Sequence, residues 1–197
     1  MLNDLQYLIT LFEENEKDLS DVPKEYIDKY GFSCLANCLM FKEPKIPEFN
    51  KDPITDYIKT HNFSTFDDIV IYVNSLTNDI DKLYAIYAWT AINIKYDVEK
   101  YFSKDHKSVT YEDVFLTKKA VCSGYTKIFI EIANRCNLNK ERIRIDKYTN
   151  LSKGYSFNSL NPPKTPKHNH ASVFIEIDGY KFLCEPTWGS GYVDSFH

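Results

Sequence analysis

No stretch of the 197-residue chain approaches the ~18 consecutive apolar residues that a membrane-spanning helix needs, so no membrane anchor is expected. The opening residues Met1-Leu2-Asn3-Asp4-Leu5 lack a basic region followed by an apolar run, and no secretory leader is expected from them. Basic residues are in deficit: 24 Lys and Arg stand against 28 Asp and Glu, a net charge of −4. Binding phosphates wants the opposite balance, which argues against nucleic acid as a main partner. Internal repeats and low-complexity tracts are missing as well. The five cysteines (Cys34, Cys38, Cys122, Cys136, Cys184) are odd in number and scattered. That pattern fits reduced thiols and a cytoplasmic setting better than a disulfide scaffold.

What is present is ordinary globular material. Hydrophobic residues make up 43% and charged residues 26%, which excludes a disordered chain. The length suits one domain, or one domain with a small attachment. Fifteen Tyr and 13 Phe can build a sizeable core. Pro44, Pro47 and Pro53 punctuate a charged stretch over 42–53, read as a linker or extended arm because proline removes donors and favours extended neighbours. The chain is therefore divided into 1–52, an N-terminal helical attachment with a proline-rich arm, and 53–197, the main domain. Leu5, Leu8, Ile9 and Phe12 give the attachment a helical stripe. It is a candidate cover for a cleft or a candidate protein-partner surface; simple packing on the main domain would use the same residues.

Helices open the main domain. Phe66, Ile69, Val70 and Val73 form a short stripe, and Ile80, Leu83, Tyr84, Tyr87, Ala88 and Ala91 recur with helical spacing. Thr110-Tyr111-Glu112-Asp113 has the form of a capping box and predicts a short helix through Val114 and Phe115. Tyr125, Ile128, Phe129, Ile132, Ala133 and Cys136 make the next stripe. The period then changes to two. Ile143 and Ile145 alternate with charges, and a long polar loop with Gly154, Pro162, Pro163 and Pro166 covers 150–169. Ala171, Val173, Ile175 and Ile177 alternate before Asp178-Gly179, and Tyr180, Phe182 and Cys184 alternate after it. Asp-Gly between alternating runs predicts a two-residue hairpin turn. Helices followed by antiparallel strands predict an α+β domain.

One cluster has chemical promise. Cys122 lies just before the helix that begins its stripe at Tyr125, with Ser123 as a plausible N-cap and Gly124 allowing close approach. A thiol at a helix N-terminus meets the positive end of the dipole and unpaired amides, and both favour thiolate. Burial as a small hydrophobe is the alternative for the same cysteine. A two-residue turn at 178–179 pairs Ile177 with Tyr180, Phe174 with Leu183 and Ser172 with Glu185. His170 then lies diagonal to Glu185, about 7–8 Å away at the backbone and within side-chain reach. A carboxylate that orients an imidazole is the second half of a Cys-His-acid set; a merely structural cross-strand pair has the same geometry. Cys184 falls on the opposite, apolar face. His168 is a second candidate base. Cys34-x3-Cys38 with His168-x-His170 has the residue types of a zinc set, but the spacing is unlike a finger, and Cys34 and Cys38 share a helical face with leucines nearby, which suits burial better. No metal and no cofactor are expected.

The segment Lys119-Ala120-Val121-Cys122-Ser123-Gly124-Tyr125 closely resembles the nucleophile segment of transglutaminase-like domains, nearest the kyphoscoliosis-peptidase type also found in cytokinesis proteins. His170-Ala171, Ile177-Asp178-Gly179 and Glu185-Pro186-Thr187-Trp188-Gly189-Ser190-Gly191 resemble that family's histidine strand and its acid-Pro-Thr-Trp-Gly motif. Ala88-Trp89-Thr90 followed by Asn93-Ile94-Lys95-Tyr96-Asp97 looks like its upstream helix and Ile-Lys-Tyr-Asp signature, and Lys153-Gly154-Tyr155 echoes a short element before the histidine. The resemblance covers about 65–195 and four motifs in order. It implies a papain-like fold with the nucleophile helix packed on an antiparallel sheet. It also implies Cys122 as nucleophile, His170 as base and Glu185 as the orienting acid, where relatives usually carry Asp. Trp89 and Tyr96 become candidates for oxyanion stabilisation, beside a backbone donor at Cys122; Ser123 and Trp188 complete the candidate binding set, with core packing the alternative for Trp89 and Tyr96. The implied function is a thiol enzyme acting on peptide or glutamine side-chain carbonyls, most readily a cysteine peptidase with a protein or peptide substrate. Crosslinking or deamidation, and a non-catalytic interaction or scaffold module, remain open alternatives.

Overall fold

The computed structural model describes residues 50–103, 108–152 and 168–191. The stripe expected in 2–18, the pair Cys34 and Cys38, the arm up to residue 49, and Lys153-Gly154-Tyr155 with most of the 150–169 loop lie outside the described residues.

Helix α1, Lys51–Thr60, begins at the end of the expected arm and places Pro53 in its first turn. There the missing N–H costs nothing, because the first amides of a helix have no partner inside it. The arm expected over 42–53 thus overlaps a helix at its last three residues. Asn50 ties this helix start to the next layer: its backbone N–H and side-chain amide donate to the two Asp81 carboxylate oxygens at 2.8 and 2.7 Å. Helix α2, Phe66–Ser75, starts at a reciprocal capping box between Thr65 and Asp68. Helix α3, Asp79–Asn93, is capped by Asn78, whose side-chain oxygen accepts from the Asp81 amide at 2.7 Å. Its buried face, Leu83, Ala85, Ile86, Ala88 and Trp89, is the centre of the core.

Two short strands follow that periodicity could not reveal. β1, Lys95–Tyr96, and β2, Lys119–Ala120, pair in parallel. Between them lie helix α4, Val98–Phe102, and helix α5, Tyr111–Thr117. The expected capping box is present, with the Thr110 hydroxyl accepting from the Asp113 amide at 3.2 Å and Asp113 accepting from the Thr110 amide at 3.0 Å. Lys118 ends α5 in the left-handed region at φ 53°. Helix α6, Cys122–Arg135, then buries Tyr125, Ile128, Phe129, Ile132 and Ala133, the stripe predicted from spacing. Gly124 is needed because a Cβ there would lie 2.6 Å from the Ala120 Cβ, so β2 and α6 can approach only without a side chain.

The second half is a three-stranded antiparallel sheet in the order β3–β4–β5, with β3 Ile143–Asn150, β4 His170–Ile177 and β5 Tyr180–Cys184. The hairpin register matches expectation: Ile177 faces Tyr180, Phe174 faces Leu183 and Val173 faces Cys184. Both turn residues have positive φ, 50° at Asp178 and 83° at Gly179, as a two-residue hairpin turn demands. Ala171, Val173 and Ile175 form the buried face of β4, toward α6. A last short helix, α7, Pro186–Gly189, follows β5 directly. The domain is α+β, with the helix that begins at Cys122 packed on the antiparallel sheet.

Candidate active site

Cys122 is the first residue of α6, and the residue before it, Val121, occupies the cap position without any side-chain cap. Ser123 is therefore not the N-cap. The Val121 carbonyl already accepts from the amides of Gly124 and Tyr125 at 2.8 and 3.3 Å, so the helix starts two residues earlier than the hydroxyl of Ser123 suggested. The backbone of Ser123 instead lies beside the Cys122 sulfur and helps to hold its thiol down.

Folding sets that sulfur against the start of β4. Burial raises the Cys122 thiol, but three donors outweigh it: the His170 imidazole, the backbone N–H of Ala171 and that of Ser123. With the charge of His170, they hold the thiol below its ordinary range. The imidazole moves the other way. Its hydrogen bonds to Cys122 and to Glu185 outweigh desolvation and lift it to about 9. The two shifts converge, and both favour a thiolate beside an imidazolium.

Glu185 lies just past β5, where the register continues opposite Ser172. His170 Nε2 meets Glu185 Oε2 at 2.9 Å, and the two side chains are only 8% and 20% exposed. The remaining carboxylate oxygen, Oε1, accepts a hydrogen bond from the Ser172 hydroxyl. With Nε2 engaged by the acid, Nδ1 is the ring nitrogen left for the sulfur. Cys122, His170 and Glu185 are thus brought together.

The other candidates separate. Trp188 stacks on the His170 ring, centroids 5.2 Å apart at 24°, and is 57% exposed, so it covers one face of the imidazole from the solvent side. Tyr96 is half-buried; burial pushes its hydroxyl above the usual range, and the neighbouring Cys122 adds to the shift. Trp89 has the contacts of a core residue. It is 1% exposed, meets Phe63 edge-on, stacks with Phe115 and lies under the Lys118 ammonium at 4.9 Å. His168 is exposed at the approach to β4. Cys184 lies opposite Val173 on the helix-facing side, where burial drives its thiol up to about 12. Among the described residues no group of His, Cys, Asp and Glu is arranged to hold a metal ion.

Two features of the site escaped the sequence. Asn150, at the end of β3, donates from Nδ2 to the Ser172 hydroxyl at 2.8 Å. Tyr125, fully buried on α6, donates its hydroxyl hydrogen to the Ile94 carbonyl at 2.8 Å and lies 3.1 Å from Ser190 Oγ. It joins the cysteine helix to the segment that follows the acid. The pairing of Ser172 with Glu185 was legible as a register; that the hydroxyl would turn to the carboxylate was not.

A helix-borne cysteine facing a histidine and an acid on an antiparallel sheet is the class of arrangement that the motifs implied. A family profile described as "Transglutaminase-like domain" matches residues 66–187, and the chain belongs to that family. The chain is also similar to the kyphoscoliosis peptidase of Mus musculus, 28% identical over 118 residues, and to that of Homo sapiens, 27% identical over 117 residues. These alignments cover 60% and 59% of this chain but only 17% of each relative, so the chain spans a small part of the relatives' length. No solved structure matches it. No helix among the described residues is long and apolar enough to cross a membrane.

Proposed function

We propose that this protein is a thiol acyl-transfer enzyme, and specifically a cysteine peptidase acting on protein or peptide substrates. The observation that carries the reading is geometric: Cys122 heads α6 beside the start of β4, where His170 Nε2 meets Glu185 Oε2 at 2.9 Å, and the lowered thiol and raised imidazole agree with that placement. In this reading the Cys122 thiolate attacks a carbonyl carbon and forms a C–S bond, and the electron pair of the C=O moves to oxygen. The Cys122 amide, at the head of α6, donates to that oxygen, as helix N-termini do for developing anions. His170 then gives its proton to the leaving amine as the C–N bond breaks, which leaves a thioester. Water, deprotonated by His170, attacks the thioester and releases the acid and the thiol. Glu185 keeps the ring in position through both proton transfers. The similarity to peptidases supports hydrolysis over transfer to an amine. A thiolate nucleophile must stay reduced, which suits a cytoplasmic setting.

The test is alkylation of the native chain by iodoacetamide at neutral pH, with each cysteine followed by peptide mass. Cys122 should react well ahead of Cys136 and Cys184, whose thiols burial raises to about 11 and about 12. Equal rates for the three would remove the activated nucleophile. Hydrolysis itself is read as cleavage of an unfolded protein substrate that disappears with Cys122→Ala.

A further inference from the structure

The hydrogen bonds around Glu185 run beyond the acid. Oε2 accepts from His170 Nε2 at 2.9 Å, Oε1 accepts from the Ser172 hydroxyl, and Ser172 Oγ accepts from Asn150 Nδ2 at 2.8 Å. Ser172 is fully buried, so water does not compete for its hydroxyl. A hydroxyl carries one hydrogen, and an amide nitrogen can only donate. Ser172 therefore receives from Asn150 and must send its own hydrogen to Glu185. In the reverse orientation the amide oxygen would compete with Oε1 for that one hydrogen. With Oε1 committed to Ser172, Oε2 is left to accept from the ring, which draws the hydrogen of the neutral imidazole to Nε2.

Backbone register makes the chain of bonds possible. Asn150 stands opposite His170 across β3 and β4, and its carbonyl accepts from the Asn169 amide at 3.1 Å. Ser172 is two residues along β4 from His170 on the same face. The four side chains thus run from the end of β3, across β4, to the residue just past β5.

We infer that Ser172, aimed by Asn150, is a positioning residue that fixes the rotamer of Glu185 and, through it, the tautomer of His170. The inference rests on the thiol chemistry proposed for Cys122 only for its catalytic consequence; the tautomer can be read without any reaction.

The experiment is ¹⁵N NMR of the His170 ring in the full chain carrying Cys122→Ala, at high pH where the imidazole is neutral and no thiolate competes for the hydrogen at Nδ1. This chain should show one tautomer, protonated on Nε2, and the same chain with Ser172→Ala a mixture of the two. Asn150→Ala should shift the ring the same way to a smaller extent, which keeps the test usable if Ser172→Ala does not fold. A single Nε2–H tautomer in both variants overturns the inference. The pH profile of Cys122 alkylation supplies the second readout. Ser172→Ala should slow the reaction about tenfold near pH 6, the weight of one hydrogen bond to a charged group, and should add nothing in a Glu185→Gln background. Equal losses in the two backgrounds would mean that Ser172 does not act through Glu185. Failure of the thiol chemistry looks different: wild-type Cys122 would be inert while the tautomer result still stood.

Discussion

The hairpin of β4 and β5 carries a charged pair at each end, and the two differ in almost everything except geometry. At the turn, Arg142 Nε donates to Asp178 Oδ1 at 2.8 Å, with side chains 54% and 45% exposed. At the other end, His170 meets Glu185 at 2.9 Å with side chains 8% and 20% exposed. Arg142 holds the Asp178 carboxyl below its usual range, but in open water such a pair is screened and adds little. The inner pair sits where solvent is displaced, beside a third ionisable group, and there the same kind of contact moves protons. Distance is nearly equal at the two ends; burial and the neighbouring sulfur make the difference.

The sharpest way to break this contrast is to remove the sulfur. Cys122→Ala should abolish peptide cleavage, a loss of at least about a thousandfold in kcat/KM, as for other covalent nucleophiles. Cys184→Ala, on the helix-facing side of the same hairpin, should leave cleavage at the wild-type rate. Turnover measured side by side on an unfolded protein substrate checks both. Next in size is His170→Ala, which should slow alkylation of Cys122 near neutral pH by roughly tenfold or more, because the thiol loses the imidazole, the foremost of the groups that hold it low. The rate should recover as the medium itself deprotonates the thiol, and a pH series reads both limbs.

Stability gives a smaller effect with a definite sign. The His170 value is raised from 6.5 to about 9, so its contribution to folding is fully present below about pH 6.5 and fades as pH rises through about 9. The gap in unfolding temperature between wild type and His170→Ala should therefore be widest at low pH and close above 9; a gap that widens with rising pH would contradict it. Smallest of all is the outer pair. Arg142→Ala should leave the Cys122 alkylation profile where it is and shift unfolding only slightly, since both of its partners are half exposed. A clear change in the profile would show that the two ends of the hairpin communicate.

Much of this architecture was legible before any coordinate. The stripe from Tyr125 to Cys136 marked α6, and Thr110 with Asp113 marked the start of α5, because helical period and capping chemistry are local. Asp178-Gly179 set the hairpin register for the same reason: both residues must accept positive φ, and alternation fixes which side chains share a face. β1 and β2 stayed hidden because two residues carry no period. The cap at Val121 was missed because its carbonyl, not a side chain, starts the helix. The motifs for Trp89 and Cys122 look alike in the sequence as candidate site residues, yet the fold buries one among aromatic rings and presents the other to an imidazole.

The sequence by itself determined the stripes of α2, α3 and α6, the capping box of α5 and the hairpin register, and it offered Cys122, His170 and Glu185 as candidates, since each follows from spacing or from a motif a few residues long. Only the tertiary structure decided that the head of α6 meets the start of β4, that Trp188 lies over the ring, and that Ser172 and Asn150 stand behind the acid. Those are contacts between segments far apart in the chain, chosen by which faces must leave water together, and no local pattern encodes them.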